Sequence, residues 1–234
     1  MKEIEFVNYS CYYLYKKEYI KVLDDISFFV SSGDFLVIVG PSGSGKTTLI
    51  KSILGQIGYI EGDLLIQGKS IDTYKMTPYT FGYVSQQYSL YPHLTVFENI
   101  AFPLRAMHTS QEEVNERVME IAIKFKISFL LTRKPAQLSI GQQALVCLAK
   151  AIIKKPNIVL LDEPFSSVDN IKKIEMRELL KDIHNTYHTT FLYVTHEMAD
   201  AYALADKIVF LNQGKIEKIT TAKELLEQAK NESV

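Results

Sequence analysis

Cysteine is scarce in this chain: Cys11 and Cys147 are the only two, far apart and without the spacing of metal ligands. Neither a disulfide framework nor a zinc module is encoded, so the chain reads as a protein of a reducing compartment with free thiols. Charge of one sign is also missing. The formal net charge is −1, and nothing in that balance suggests a nucleic-acid partner. No run of roughly 18 apolar residues occurs, and the N-terminus, with Lys2, Glu3 and Glu5, lacks an apolar signal segment. A membrane role must therefore come through a partner. Internal repeats, low-complexity stretches and linkers are absent, and only Asn231 to Val234 read as frayed. What is present is a 47% hydrophobic content over 234 residues, enough to bury a sizeable core in one domain with an inserted subdomain.

Eight residues, Gly40-Pro41-Ser42-Gly43-Ser44-Gly45-Lys46-Thr47, match the phosphate-binding pattern G-x-x-x-x-G-K-[ST]. They follow the continuous apolar run Phe35-Leu36-Val37-Ile38-Val39, which predicts a strand buried on both faces. They precede Leu49, Ile50, Ile53 and Leu54 at helical spacing. Glycines let the backbone wrap a phosphate, so that successive N–H groups and the positive end of the following helix meet the anion. Lys46 adds a mobile point charge, and the Thr47 hydroxyl suits Mg²⁺; Thr48 completes the segment assigned to the phosphates. The pattern implies a nucleoside triphosphate but does not separate kinases, GTPases, motors and transporters.

Downstream, Ile158 to Pro164 reads IVLLDEP, a second apolar strand ending in two carboxylates. That arrangement suits Asp162 for holding Mg²⁺ through water and Glu163 for polarising an attacking water. Between the two motifs, Leu138-Ser139-Ile140-Gly141-Gln142 opens the apolar segment Ala144 to Ile153. It resembles the LSGGQ signature of ATP-binding cassette (ABC) proteins, and the resemblance covers almost the whole chain, with five motifs in the family's order. Gln86, in Tyr83-Val84-Ser85-Gln86, resembles the Q-loop glutamine, which in the family contacts Mg²⁺ and the attacking water. Asp169, in Ser167-Val168-Asp169, resembles the D-loop. His196, in Val194-Thr195-His196-Glu197, resembles the switch histidine of the γ-phosphate.

The resemblance implies that ATP is held between two cassettes, with Ser139, Gly141 and Gln142 acting in trans on the partner's nucleotide. It implies an aromatic residue stacked on adenine. Tyr15 is assigned that role from its distance to Val22-Leu23-Asp24-Asp25, although Tyr12, Tyr13 and Tyr19 crowd the same segment. The implied cofactors are ATP and Mg²⁺. The implied partners are transmembrane permease subunits, a second ATPase subunit in a homodimer or heterodimer, and a solute-binding protein, at the cytoplasmic face of the membrane. Tyr88 to Leu104 resembles the importer segment that receives a membrane subunit, with Tyr88, Leu90, Tyr91 and Leu94 expected as exposed contacts and Phe97, Ile100 and Phe102 as core. Alternatives are the ATPase of a lipid-trafficking or cell-division system and a soluble non-transport ABC ATPase.

Two departures stand out. Ile140 replaces the first glycine of the signature, and its branched Cβ would oppose a positive φ or a close approach to phosphate. Lys150 stands where arginine is common, keeping the charge but not the bidentate fork.

The expected fold class is α/β: a P-loop NTPase core with a mostly parallel sheet, an N-terminal antiparallel β part and an inserted helical subdomain. Antiparallel strands are predicted at Ile4 to Asn8, Val22 to Val30 and Asp63 to Ile66, and core strands start at Phe35, Phe81, Ile158, Phe191 and Lys207. One ABC ATPase domain is expected over 1–234, with 1–87 and 138–234 as core and 88–137 helical. In that insert Ser110 caps a helix whose apolar stripe is Val114, Val118, Ile121, Ala122 and Phe125. The last helix-like stretch, 222–230, leaves no appended regulatory domain expected.

Overall fold

The computed structural model describes residues 1–74, 76–77 and 80–231. Two long strands, β1 (Lys2–Tyr15) and β2 (Glu18–Ser31), lead into the short β3 (Phe35–Val39) and helix α1 (Lys46–Ile53). Strands β4 (Tyr59–Ile66), β5 (Lys69–Ser70) and β6 (Phe81–Val84) precede helices α2 (Val96–Ala106), α3 (Gln111–Lys124) and α4 (Ile140–Ile152). Then come β7 (Ile158–Asp162), α5 (Asn170–Tyr187), β8 (Thr190–Thr195) and α6 (Met198–Leu204). Strands β9 (Lys207–Asn212) and β10 (Lys215–Thr220) and helix α7 (Ala222–Asn231) follow. Contacts divide these elements into two compact units, Met1–Lys75 with Thr190–Val234, and Met76–Thr189.

In the first unit an antiparallel sheet runs in the order β2-β1-β4-β5. Beyond it in sequence, β3 lies between β8 and β9 and parallel to both, and β10 pairs antiparallel with β9. Every residue of β3 and β8 is buried, as the unbroken apolar run of β3 requires. The rings of Phe35 and Phe191 stack across the pair at 4.8 Å.

The antiparallel strands extend well past their predicted ends. The β1–β2 hairpin continues through Leu14 opposite Tyr19 and Tyr15 opposite Glu18, and closes through Lys16 and Lys17 at φ 47° and 71°. Two consecutive left-handed residues match the twist of a tight hairpin. Alternation from Cys11 puts Tyr13 and Tyr15 on one face of β1. Tyr12 lies on the other, its ring 5.0 Å from Tyr59, which in turn meets Tyr19 at 4.8 Å. Lower in β1 the register shifts at Asn8, and Gly62 opposite could not carry a side chain, because its Cβ would fall 2.2 Å from the Asn8 carbonyl oxygen.

In the second unit β6 runs parallel to β7, and α2 packs on both α3 and α4. The predicted stripe on α3 is buried: Val114, Val118, Ile121, Ala122 and Phe125 all face the interior. The Ser110 hydroxyl accepts the Glu113 N–H, capping the helix. Ile127 and Leu130 join that core, while Phe129 is exposed. On α2, Ile100 is fully buried, Phe97 half-buried and Phe102 exposed, so only Ile100 is core in the expected sense. Each fully buried aliphatic side chain contributes about 1.5–3 kcal/mol.

Candidate functional site

The phosphate loop bridges β3 to α1 in the first unit. Gly43 and Gly45 adopt φ 81° and 106°, backbone that a side chain would strain, and Gly45 immediately precedes the first helical residue, Lys46. The Lys46 side chain is 4% exposed and its Nζ donates to the carbonyls of Gly40 (2.8 Å) and Pro41 (2.9 Å). Its charge is thereby fixed over the loop rather than trailing in solvent. Pro41, Ser42 and Gly43 are exposed, Thr47 is half-buried and Thr48 buried. Among the described residues the Ser44 Oγ is buried without a hydrogen-bond partner, an unmet polar group of the kind that a ligand oxygen satisfies. Below it, the Gly214 N–H donates to the Ser44 carbonyl at 3.0 Å and holds the loop to the turn between β9 and β10.

The first unit brings the predicted histidine to the same place. The Gly40 N–H donates to the Thr195 carbonyl at 3.3 Å, so the start of the loop touches the residue before His196. Sequence reasoning missed the group that shapes this turn. Asp200, 2% exposed, accepts the hydroxyls of Tyr193 (3.0 Å) and Thr195 (2.7 Å), and the Thr195 hydroxyl accepts the Glu197 N–H. The signal was an acid four residues after His196, beyond Glu197, which by itself names no role. Tyr15 lies at the hairpin end, 57% exposed, with the Lys16 amine 5.3 Å from its ring.

The second unit carries the carboxylates. Asp162 ends the fully buried β7 and is 2% exposed. Glu163 follows at φ 46°, turning the chain off the strand, and its carbonyl accepts the Ser166 N–H at 3.2 Å. A left-handed non-glycine residue is uncommon and stores strain. Gln86 is exposed just past β6. The Tyr88 hydroxyl donates to the Pro164 carbonyl at 2.8 Å, joining the segment after Gln86 to the turn after Glu163. Burial, and secondarily the Asp162 charge, pushes the nearby Tyr83 phenol up from its ordinary value.

Ser139 caps α4 in a reciprocal capping box. Its hydroxyl accepts the Gln142 N–H at 3.3 Å, and the Gln142 side chain accepts the Ser139 N–H at 3.0 Å. Ile140, 51% exposed, takes the first helical position and is not among the positive-φ residues. No left-handed backbone is needed there, which removes the conformational objection to a branched residue. Gly141 packs against Val168 and Lys172, which places the signature beside the D-loop. Asp169 caps α5 by accepting the Lys172 N–H at 3.0 Å; that bond and the Lys172 ammonium hold its carboxyl below the usual range. The segment expected to face a membrane partner is only partly open: Tyr88, Leu90, Tyr91 and Leu94 are half-buried.

These geometries accompany a direct match. The profile of the family described as "ABC transporter" fits residues 23–166. The chain belongs to the ABC transporter family. It is 39% identical over 211 residues to the spermidine/putrescine import ATP-binding protein PotA of Thermotoga maritima, covering 90% of this chain and 57% of that protein. It is 40% identical over 213 residues to the sn-glycerol-3-phosphate import ATP-binding protein UgpC of Bartonella bacilliformis, covering 90% and 62%. The chain thus spans less than two thirds of the length of these relatives. Among solved structures, the ATP-binding cassette MJ0796, in a dimeric post-hydrolysis state bound to ADP and Pi, superposes with a TM-score of 0.84 at 28% identity, over 94% of this chain and 98% of that one. The fold is therefore an ABC cassette, with its antiparallel N-terminal sheet, parallel core strands and helical segment.

Proposed function

We propose that this ABC chain hydrolyses ATP to drive solute import through partner transmembrane subunits, at the cytoplasmic face of the membrane. The carrying observation is the loop from Gly40 to Thr47: two left-handed glycines, a lysine drawn over the loop carbonyls and, at the head of a helix, a buried serine oxygen with no hydrogen-bond partner among the described residues. Import is favoured because the relatives named above are import ATP-binding proteins. Among the described residues no helix is long and apolar enough to cross a membrane, so transport requires permease subunits, with a solute-binding protein delivering the cargo.

Each site residue has a role in this reading. The backbone of residues 40–46 and the Lys46 amine bind the β- and γ-phosphates, and Tyr15 stacks on adenine. Glu163 accepts the proton of the attacking water, Gln86 orients that water and His196 donates to the γ-phosphate. A second ATPase subunit supplies Ser139, Gly141 and Gln142 across the dimer, and Asp169 lines that contact. Residues 1–234 act as one ABC ATPase domain in which 88–137 is the helical subdomain.

The donor set fits Mg²⁺. The Thr47 hydroxyl, the Gln86 amide oxygen and the Asp162 carboxylate are hard oxygen ligands, and among the described residues no cluster of three or more His, Cys, Asp or Glu forms a closed metal cage. Such sparse oxygen ligation is how Mg²⁺ is held when water and substrate phosphates complete its shell. Bound there, it would supply positive charge against the phosphate oxygens. The deciding experiment is Glu163→Gln: nucleotide affinity should persist while turnover falls by roughly 10²–10⁴-fold. Hydrolysis close to wild type would remove Glu163 from the chemistry.

A further inference from the structure

Tyr193 and Thr195 stand two residues apart on β8, so their side chains share one face of the strand. Asp200, in the first turn of α6, meets that face, and all three residues are buried, at 1%, 3% and 2% exposure. Both hydroxyls converge on a single carboxylate oxygen, Oδ2 of Asp200. A carboxyl group buried this deeply is costly unless donors meet it. Of the two donors, Thr195 also reaches the turn of the histidine. Its Oγ1 accepts the Glu197 N–H at 3.0 Å and closes a loop of backbone with His196 at its centre. The Glu197 carbonyl in turn accepts the Asp200 N–H at 3.2 Å. His196 itself is exposed above this buried frame.

We infer that Asp200 is a positioning residue of ATP hydrolysis, fixing through Thr195 the direction in which the His196 imidazole is presented; this rests on the role given to His196 under the proposed function. A hydroxyl has one hydrogen to donate and lone pairs to accept with. The carboxylate takes the Thr195 hydrogen and leaves the lone pairs to the Glu197 N–H, so the hydroxyl has one setting and the turn one shape. The Thr195 carbonyl meanwhile accepts the Gly40 N–H at 3.3 Å. The residue clamped by Asp200 is therefore the one joined to the phosphate loop, which holds the histidine's turn in register with that loop. Placement matters because a shift of about 1 Å can cost roughly 10²-fold in rate. Loss of the clamp should appear in turnover rather than in nucleotide affinity, since the bond to Gly40 uses a backbone carbonyl that no side-chain substitution removes.

The test separates hydrogen bonding from packing. Thr195→Val keeps the shape of the side chain and deletes both of its bonds; Thr195→Ser keeps the bonds and deletes a methyl group; Tyr193→Phe removes the other hydroxyl donor to Asp200. In the full chain, kcat and KM for ATP are measured beside the nuclear magnetic resonance of ¹³C-labelled histidine in nucleotide-free protein, with His196→Ala identifying its signal among the five histidines. Thr195→Val should move the His196 signal and lower kcat by roughly 10–100-fold at unchanged KM. Thr195→Ser should restore both, and Tyr193→Phe should stay near wild type. Asp200→Ala should match Thr195→Val, which carries the test alone if the alanine variant does not fold. Combining Thr195→Val with His196→Ala should cost nothing beyond His196→Ala. A His196 signal or a kcat unmoved by Thr195→Val overturns the role, as does a loss in Thr195→Ser or Tyr193→Phe as large as in Thr195→Val. Wild-type kcat in His196→Ala is a different failure: it removes the histidine from the chemistry, and this inference with it.

Discussion

Tyr12 and Tyr15 lie three residues apart but have different chemical fates. The Tyr12 hydroxyl donates to Glu61 at 2.7 Å, and its ring belongs to the Tyr59 and Tyr19 cluster. Tyr13 and Tyr15 occupy the opposite face with Cys11. Sequence spacing left four tyrosines open as the adenine partner; strand alternation sorts them onto two faces, and the proposed function gives the role to Tyr15. Base–aromatic stacking is worth about 1–3 kcal/mol, so Tyr15→Ala should weaken ATP binding by roughly 5–150-fold in a fluorescent-nucleotide titration. Tyr19→Ala should leave affinity unchanged, and the opposite ranking would transfer the role to the other face. Ile140 teaches a related lesson. Of the two objections to a branched residue there, a positive φ and a close approach to phosphate, the capped helix start removes the first.

At the scale of elements, one buried amide organises the start of α2. Asn99 is fully buried; its side-chain oxygen accepts the Tyr91 N–H at 2.7 Å, and its side-chain nitrogen donates to the carbonyls of Tyr91, Leu94 and Thr95. Asn99→Leu would strand these backbone groups at about 1–3 kcal/mol for a buried donor. Denaturant titration should show a lower midpoint with an unchanged slope. The helices were legible because their cause is local: Ser110 and the stripe from Val114 to Phe125 lie within one stretch of chain. The hairpin was legible only in part. Its turn, Lys16-Lys17, has left-handed backbone at both positions without the Asn-Gly or Gly-Gly chemistry that announces such a turn, so the strands were read as ending early. The half-burial of Tyr91 was only partly legible: its ring meets Phe102 at 4.6 Å within the same segment, but also the Lys150 amine at 4.2 Å, from 59 residues later.

Across the whole molecule, pairing between distant segments sets what sequence could not show. The Asp34 carboxylate meets the Lys207 ammonium at 3.0 Å across 173 residues and accepts the Ser31 N–H at 3.1 Å. Burial pushes the Asp34 carboxyl up, but Lys207 and Ser31 outweigh it and leave its value lowered. A depressed carboxylate adds stability above its unfolded value of about 3.9 and loses it as pH falls through the folded value. Asp34→Asn should therefore be less stable than wild type at neutral pH, by roughly 0.5–1 kcal/mol for a partly exposed pair. The difference should shrink below about pH 4, as melting curves at the two pH values would show; an equal deficit at both would assign the effect to packing rather than charge. The motif set was readable because each piece of it is a short local string; which strands flank which was not, since a strand's neighbours are chosen by segments far along the chain. That ordering bears on synthesis. Strand β3 meets the first of its partners, β8, only when the chain from Thr190 onward has emerged, about 150 residues after its own last residue, and β9 follows later still. At typical elongation rates a five-residue apolar segment waits roughly 8–30 s for its neighbours, long enough for chaperone capture. The phosphate loop at its end is encoded early and assembled late.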